Sequence, residues 1–472
     1  MINGVKPYPQ MTDPGVPWLG KVPAQWKLQR MKTLLRERVQ KGFPDEPLLA
    51  ATQSKGVVRK EQYENRTVLA LKDLHLLKLV CVGDFVISLR SFQGGIEYAR
   101  EKGIISPAYT ILRATYPEMH RYLARLFKST PYIENLSLFV TGIRQGQNID
   151  YEKLARAEVP VPPLAEQAAI VRFLDHVDGQ MRRYIRAKQK LIRLLEEQKQ
   201  AIIHRAVTRG LDPNVRLKPS GVEWLGNVPE HWDVLPLRRR WWVTDCKHLT
   251  VPFVDDADGI PLASVREVQS FELSLANAKR TTVESFKLLI EGRRQPHKGD
   301  LIYCRNVSVG AAAFVNTDKP MAMGQDVCLI RSELESQRYL NYFLHSPAMQ
   351  HQLALLLVGS TFNRINVSDI KALVIVVPPR REQDSIVEFL DNEIGETTRV
   401  QTIAKNEMSF WREYRTRLIA DVVTGKLDVR DAASQLPVDA AEPELSDEVM
   451  METDDYEVAT NDADELPDEA EA

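Results

Sequence analysis

The chain has 472 residues, more than one ordinary domain needs, which suggests roughly two to four domains. Its formal net charge is only −2, but residues 437–472 hold 15 of the 64 acidic side chains and no Lys or Arg. The preceding residues therefore carry 49 acidic and 62 basic side chains, an excess of 13 positive charges. That excess favours a polyanionic partner, with nucleic acid as the first candidate.

Neither a secretory signal nor a membrane span is expected. The first ten residues, MINGVKPYPQ, lack an apolar core, and the longest apolar runs, such as 353–358 and 372–377, are six residues long. The four cysteines have no paired spacing and are expected to be reduced. We therefore expect an intracellular, cytoplasmic protein.

Residues 1–160 are predicted to form a mixed α/β domain. Short apolar runs are separated by Gly, Pro and Asp, which is typical of strands and turns, and a helix is expected at about 119–128. Near its start, residues 15–26 read GVPWLGKVPAQW, and residues 221–232 read GVEWLGNVPEHW, with eight of twelve positions identical. A repeat of this kind indicates an internal duplication.

Residues 161–209 are predicted to form a long helix. Prolines at its start end the preceding extended segment, and no Gly or Pro occurs between Met181 and Arg209. Apolar or neutral residues recur in a coiled-coil pattern. The predicted seam consists of Ile170, Leu174, Val177, Met181, Tyr184, Leu191, Leu195, Gln198 and Ile202.

The second half repeats this order at a constant offset of 216 residues, from Pro378 for Pro162 to Asp428 for Asp212. The two helices are therefore equal in length, and each is expected to bury its seam against the other. The predicted fold class is α+β: two similar mixed α/β domains joined by two long antiparallel coiled-coil helices, with a pseudo-two-fold internal repeat. The predicted limits are 1–160 and 210–376 for the domains, 161–209 and 377–425 for the helices, and 426–472 for an acidic disordered tail.

The two motifs, each present twice and in the same order, resemble the specificity subunit of type I restriction-modification systems. W-L-G-x-V-P-x-x-W opens each half, and V-P-P-x-x-E-Q-x-x-I-V-x-F-L-D begins each long helix. The resemblance covers the chain except the acidic tail. It implies a non-catalytic subunit with two target recognition domains, each reading half of a split sequence in double-stranded DNA. It further implies two methyltransferase subunits and restriction subunits of the helicase-nuclease class as partners, with helices that set the gap between the half-sites.

Polar loops are the expected DNA contacts, because Arg, Asn and Gln discriminate bases while Lys and Arg hold phosphates. In the first domain the candidates are Gln53, Ser54, Lys55, Arg59, Arg90, Ser91, Gln93, Arg144, Gln145 and Gln147. In the second domain they are Arg305, Asn306, Ser308, Thr361, Asn363 and Arg364. For each residue the alternative is an ordinary solvated loop.

Other features are expected to be structural. The tryptophans of the repeat, Trp18, Trp26, Trp224 and Trp232, are predicted to pack rather than to stack on bases. The methyltransferase docking surface is expected on the outer helix faces and at the Glu-Gln pairs 166–167 and 382–383. No phosphate loop, dinucleotide fingerprint or methyltransferase tetrapeptide occurs, and Cys246 with His248 is a lone C-x-H. No catalytic residue, cofactor or metal is therefore predicted.

Two other classes remain open. One is a stand-alone nuclease that uses carboxylates among Asp84, Glu97, Asp300 and Glu333, although these lack the spacing of a metal-dependent site. The other is a scaffold that binds RNA, although no aromatic platform motif is present.

Overall fold

The computed structural model describes residues 4–53, 55–62, 73–88, 91–141, 148–255, 259–357 and 364–437. The chain divides into two compact units. The first consists of residues 1–188 and the chain from 406 onward, and the second of residues 189–405. Each unit therefore contains one copy of the tryptophan repeat and a part of each long helix.

The first unit is built on a four-stranded antiparallel sheet. In spatial order its strands are Leu35–Glu37, Thr110–Ala114, Phe85–Ile87 and Glu97–Tyr98. The helices His120–Phe127 and Thr130–Leu136 follow the sheet and bury their apolar face, with Tyr122, Leu126 and Phe127 in the main core. The expected helix at 119–128 is confirmed.

The second unit repeats this topology. Its antiparallel sheet has the strands Trp242–Asp245, Val327–Arg331, Leu301–Cys304 and Ala312–Phe314, so the strand order along the chain is the same as in the first sheet. The helices Gln337–Leu344 and Pro347–Leu357 follow it. The Ser336 hydroxyl caps the first of these by accepting a hydrogen bond from the Tyr339 amide.

Each unit also pairs an early strand with the strand that leads into a long helix. Lys27–Arg30 pairs with Glu158–Val161, and Asp233–Pro236 pairs with Val374–Val377, both antiparallel. Beside each tryptophan repeat lies a two-stranded pair, Met11–Thr12 with Val22–Pro23 and Leu217–Pro219 with Asn227–Pro229.

Smaller elements distinguish the units. The first unit adds three antiparallel pairs: Leu49–Thr52 with Gly56–Arg59, Lys78–Val80 with Gly103–Ile105, and Val140–Thr141 with Asn148–Ile149. The second adds a three-stranded sheet of Arg280–Thr281, Ile260–Ala263 and Ala322–Met323, whose last pair is parallel. The short helices are Met31–Leu34, Ser91–Gly94, Tyr151–Leu154, Val283–Leu289, Val367–Ala372 and Arg430–Ser434. Short 3-10 turns cover Lys60–Gln62, Leu74–Leu76, Pro117–Met119, Ser137–Phe139 and Leu237–Arg239.

The long helices span Leu164–Arg209 and Arg380–Val423, each within three residues of its predicted limits. They pair antiparallel inside each unit. In the first unit Asp178 binds Arg415 and Tyr184 binds Glu407, whereas in the second the Gln401 amide donates to the Ile192 carbonyl. Residue numbers rise on one helix as they fall on the other, as antiparallel packing requires.

The predicted seam is wrong at two positions of its second half. Leu191 and Gln198 are exposed, while Ile185 and Ile203 are buried and Ile192 is half-buried. An α-helix has 3.6 residues per turn, so a seam with a period of 3.5 drifts by about 20° per heptad unless the helices supercoil. The residues of the first long helix that face the second are accordingly shifted by one position from the prediction, for example from Leu191 to Ile192.

The expected tail also begins later than position 426. Asp428 and Lys6 exchange backbone hydrogen bonds, and Val429, Ala432 and Ala433 are buried in the core of the first unit. Apolar burial therefore orders this segment through Leu436, whose carbonyl accepts a hydrogen bond from Arg172. Residues 438–472 lie outside the described residues. Within the described ranges, no helix has the length and apolarity needed to cross a membrane.

Candidate nucleic-acid interface

In each unit the second tryptophan of the repeat is fixed to the start of a long helix. The Trp26 indole donates to the Glu166 carboxylate at 2.6 Å, and the Trp232 indole donates to Glu382 at 2.9 Å. Both rings are buried. The prediction that these tryptophans pack structurally is confirmed. In each unit this one contact joins the tryptophan repeat to the motif that begins the long helix.

Three of the four side chains in the Glu-Gln pairs are withdrawn from the surface on which docking was expected, whereas Glu382 stays half exposed. Glu166, Gln167 and Gln383 are buried. Gln167 donates to the Pro162 carbonyl and Gln383 to the Pro378 carbonyl, both at 2.8 Å. These amides satisfy carbonyls at the proline-led starts of the helices, where a buried group without a partner would be costly.

In each unit a tyrosine on the helix that follows the sheet contacts a long helix. The Tyr122 hydroxyl lies 3.1 Å from the carbonyls of Pro160 and Val423. In the second unit the Tyr339 hydroxyl lies 3.0 Å from the Val376 carbonyl and 3.1 Å from that of Val207. Within each unit the helix that follows the sheet is thus joined both to the strand that leads into one long helix and to the last turn of the other.

In the first unit, the loop after the central strand Phe85–Ile87 is tightly folded. Ser91 is buried, and its hydroxyl accepts a hydrogen bond from the Ser88 amide at 2.7 Å. Gly95 has φ of +81°, and a Cβ there would lie 2.3 Å from the Phe127 carbonyl, so only glycine fits. Ser91 is therefore a residue that shapes the loop rather than a solvent-facing candidate.

At the surface this loop contacts the segment of predicted DNA contacts that begins at Gln53. The Gln53 amide donates to the Gln93 side chain at 2.9 Å, and both residues are exposed. Lys128 donates to the backbone carbonyls of Gln53 and Gly94 and fixes their relative position. Ser91–Gly94 also contacts the strand Asn148–Ile149. Three predicted segments of the first unit thus adjoin.

The remaining candidates of the first unit are less close to this junction. Arg59 is exposed and pairs with Glu101, and Lys55 is half-buried. Five candidates, Ser54, Arg90, Arg144, Gln145 and Gln147, lie outside the described residues.

The second unit brings together the equivalent segments. Asn306, after the central strand, forms a backbone bridge with Arg364, and the Ile365 amide donates to the Arg305 carbonyl at 2.9 Å. The Arg364 guanidinium is half exposed and lies 3.7 Å from the Asp326 carboxylate. Ser308 is half-buried in the same loop. The candidates Thr361 and Asn363 lie outside the described residues.

Arg305 is not a solvent-facing candidate. Its side chain is only 6% exposed, and its guanidinium lies 3.2 Å from both the Asp245 carboxylate and the His248 imidazole. Burying the Arg305 guanidinium is tolerated because the Asp245 carboxylate compensates its charge. A loop sequence cannot show this partner, since Asp245 is 60 residues away.

The same cluster bears on the expectation that no metal binds. Asp245, Cys246 and His248 place one ligand atom each within 4.8 Å of one another. However, the Arg305 cation already occupies the space beside two of them, and burial raises the pKa of the Cys246 thiol, which disfavours the thiolate. The electrostatics of the cluster oppose a divalent cation.

The carboxylates of the nuclease alternative mostly have structural partners. Asp84 binds Arg38 and accepts from the Cys81 amide, and its counterpart Asp300 binds Arg331 and accepts from the His297 amide. Glu97 pairs with Lys128 at 2.8 Å. Since these partners neutralise the acids or brace turns beside the sheets, the geometry does not favour metal-dependent hydrolysis.

Comparisons with known proteins show a family to which the chain is similar. Residues 259–407 match the family model described as "Type I restriction modification DNA specificity domain". A putative type I restriction enzyme MjaX specificity subunit from Methanocaldococcus jannaschii is 20% identical over 87% of this chain and 96% of its own length. The EcoKI specificity subunit of Escherichia coli K12 is 22% identical over 65% of each chain.

A solved structure shares the fold. It comes from work on complex assembly and conformational transition of the type I R-M system, with a TM-score of 0.63 and 15% identity. The match covers 85% of this chain and 98% of the other, so the duplicated architecture corresponds over nearly its whole length. The family model and the relatives thus show that the chain is similar to specificity subunits of type I restriction-modification systems, and the solved structure shows a shared fold.

Proposed function

We propose that this chain reads a bipartite sequence in double-stranded DNA, with one half-site contacted by each unit. One observation carries the proposal. On two sheets of the same strand order, the loop after the central strand adjoins the segment that precedes the helix-leading prolines. The framework is repeated while the side chains at the junction differ, as two readers of different half-sites require.

The proposed recognition domains are 1–160 and 210–376, and the proposed contacts are the solvent-facing candidates at the two junctions. Gln53 and Gln93 serve the first half-site, and Asn306 and Arg364 serve the second. Amide side chains suit adenine edges, while arginine suits guanine edges and phosphates. Arg59 and Lys55 would hold phosphates. Arg305 and Ser91 act by shaping the loops.

A segment exchange tests this division. Residues 35–157 would be replaced by the corresponding segment of another specificity subunit, which leaves the Trp26–Glu166 contact and the long helices intact. We expect methylome sequencing to show that one half of the methylated motif changes and the other stays the same. A change in both halves would contradict one reader per unit.

A single substitution tests the second junction. Arg364→Ala is expected to weaken binding of the cognate duplex by roughly five- to 150-fold, the usual effect of losing an arginine contact to DNA. Arg399→Ala is the matched control, because Arg399 is also an exposed arginine of the second unit but lies on a long helix. Equal affinity losses in the two variants would show that only overall charge matters.

We further propose that two methyltransferase subunits and the restriction subunits supply all chemistry, in the cytoplasm where the DNA lies. One docking surface is indicated in the second unit. Leu191 and Leu194 of the first long helix and Val400 and Ile403 of the second are 36–49% exposed. With Gln401 facing Ile192, helical geometry puts all four on the same side of the helix pair. An exposed apolar patch of this kind is typical of a protein interface.

Leu194→Glu tests this surface. We expect the chain to stop co-purifying with its methyltransferase, because a carboxylate would be buried without a partner. Leu288→Glu is the control, since Leu288 is also on a helix of the second unit and equally exposed, at 48%. Assembly that survives Leu194→Glu would place the docking surface elsewhere.

The helices are proposed to set the gap between the half-sites. Four residues inserted into each long helix, near Lys188 and at the position opposite it, would add about 6 Å to the pair. The gap in the methylated motif should then change by about two base pairs. An unchanged gap would refute this role.

A further inference from the structure

The second unit contains a cavity of about 480 Å³ that has no part in the proposed DNA contacts or docking surface. Leu262, Leu289 and Met323 form apolar walls. Thr250, Ser264 and Gln325 contribute neutral polar groups, Arg266 and Lys279 contribute two positive charges, and Glu267 contributes one carboxylate. Apolar walls with a few polar groups are the usual composition of a small-ligand pocket, and the volume lies within the usual range.

The cavity is preformed on its inner side. A Cβ on Gly324 would lie 2.2 Å from the Ser264 hydroxyl and 3.2 Å from its Cα, so a side chain at Gly324 would force Ser264 to shift. Glu267 is buried, and its carboxylate accepts a hydrogen bond from the Ser264 amide at 2.9 Å. The turn that carries Ser264 is therefore fixed from both sides.

An aromatic ring lies in the lining close to solvent. The Phe253 side chain is 59% exposed, and the Lys279 ammonium lies 4.3 Å from its ring centroid. A cation on one face of a ring leaves the other face for a second planar group.

The cavity adjoins the residues that pair with Arg305 and Arg364. Leu249 and Thr250, which line it, follow His248, the partner of Arg305. Gln325 lines it on the other side, and the next residue, Asp326, pairs with Arg364. The Gln325 amide donates to the Thr250 hydroxyl at 3.4 Å, so the two sides meet beside the junction.

We propose that this cavity receives a nucleobase turned out of the duplex that the second unit reads. The inference rests on the proposed function, since the base comes from bound DNA. Phe253 offers a stacking face, Thr250 and Gln325 offer groups for a base edge, and Lys279 and Arg266 suit the phosphates beside it. Proteins that hold an extruded base combine stacking with hydrogen bonds in this way.

The test uses the full chain with its methyltransferase partner and duplexes that carry 2-aminopurine at successive positions of the second half-site other than the base that is methylated, because the methyltransferase itself turns that base out. Stacking inside a duplex quenches 2-aminopurine, so extrusion raises its fluorescence. We expect an increase at one position, and we expect Phe253→Ala to remove it and to weaken binding about tenfold by loss of stacking. Trp242→Ala is the matched control, because Trp242 is an equally exposed aromatic residue of the same unit, at 58%, outside the cavity.

The outcomes separate this inference from the function on which it rests. No fluorescence increase at any position of a tightly bound cognate duplex would overturn the cavity proposal and leave the proposed function standing. A loss of signal in Trp242→Ala equal to that in Phe253→Ala would also overturn it. Saturable binding of free AMP or GMP that Phe253→Ala abolishes, without any signal from the duplex, would assign the cavity to free nucleotides instead. Failure to bind any cognate duplex would refute the proposed function itself.

Discussion

The two units share the contacts that attach the helix after the sheet to a long helix, but they differ in the residues buried between these helices. In both, an arginine of the helix after the sheet binds an aspartate of a long helix, Arg121 with Asp175 and Arg338 with Asp391. Three residues beyond these aspartates the units diverge, to Asp178 in the first and Ile394 in the second. The duplicated units therefore keep the Arg–Asp pairs, whereas the neighbouring position on the long helix is charged in the first unit and apolar in the second.

In the first unit this position of the long helix carries a buried charge. Asp178 is 3% exposed and binds Arg125 at 2.5 Å and Arg415 at 2.9 Å. Burial alone would raise the pKa of Asp178, but the two arginines hold it below its usual value. In the second unit Ile394 packs against the apolar core, and the counterpart of Arg125 is Tyr342, whose hydroxyl donates to Asp391. One unit uses an ion network where the other uses apolar contact.

The largest expected difference comes from the glycines that follow the long helices. A Cβ on Gly425 would lie 2.3 Å from Pro23 and 3.0 Å from Trp26, whereas one on Gly210 would lie 3.1 Å from a Trp232 ring carbon. Both glycines have φ of +78°. We expect Gly425→Ala to cost about 4 kcal/mol by strain plus overpacking, and Gly210→Ala about 2 kcal/mol.

Hydrogen exchange of peptides from each tryptophan repeat measures this difference. Faster exchange should be confined to the unit that carries the substitution. Equal costs for the two glycines would mean that the Gly425 contact relaxes at no energetic cost.

The ion network gives the second prediction. Asp178→Asn removes the carboxylate between Arg125 and Arg415, although Arg125 keeps its pair with Asp175 at 2.6 Å. We expect a cost of about 2 to 3 kcal/mol, less than for a fully buried pair because both arginines are partly exposed. Chemical denaturation measures it, and Ile394→Val in the other unit should cost about 1 kcal/mol.

A transplant sharpens the same comparison. The variant Asp178→Ile/Arg125→Tyr/Arg415→Lys gives the first unit the residues of the second, where Ile394, Tyr342 and Lys199 stand at these positions. Replacing a buried ion network by packed side chains is often neutral, so the transplant should be more stable than Asp178→Asn. A transplant that is less stable than the single variant would show that the surrounding packing also differs between the units.

The sequence predicted the anchors because both partners recur. Trp26 and Glu166 lie in different motifs, yet each motif appears twice in the same order, so their structural role could be inferred before their contact was known. The long helices were likewise predictable within three residues, because proline pairs mark their starts and no proline interrupts them.

The details that failed depend on partners distant in sequence. Nothing near Arg305 indicates that Asp245 buries it, and the seam at Leu191 shifted because helical drift depends on supercoiling that residue types alone do not define. For the same reason the cavity beside Phe253 was not foreseen: its lining comes from separate segments between residues 249 and 325.

A shared contact gives the third prediction. Tyr122→Phe and Tyr339→Phe each remove one hydroxyl that serves two buried carbonyls. We expect equal losses of about 1 to 1.5 kcal/mol, measured by denaturation of each variant. A clear inequality would show that the anchors are not equivalent in the two units.

The smallest expected effect is the pH dependence of the ion network. Because the pKa of Asp178 is lowered in the folded chain, its stabilisation is present above the unfolded value of about 3.9 and is lost as pH falls through the folded value. The stability difference between the wild-type chain and Asp178→Asn should therefore stay constant from about pH 8 to about pH 5 and shrink below about pH 4. The Ile394→Val difference should show no such change, since no titrating group is altered. A wild-type advantage over Asp178→Asn that already shrinks between pH 7 and pH 5 would mean that a group other than the Asp178 carboxylate governs the network.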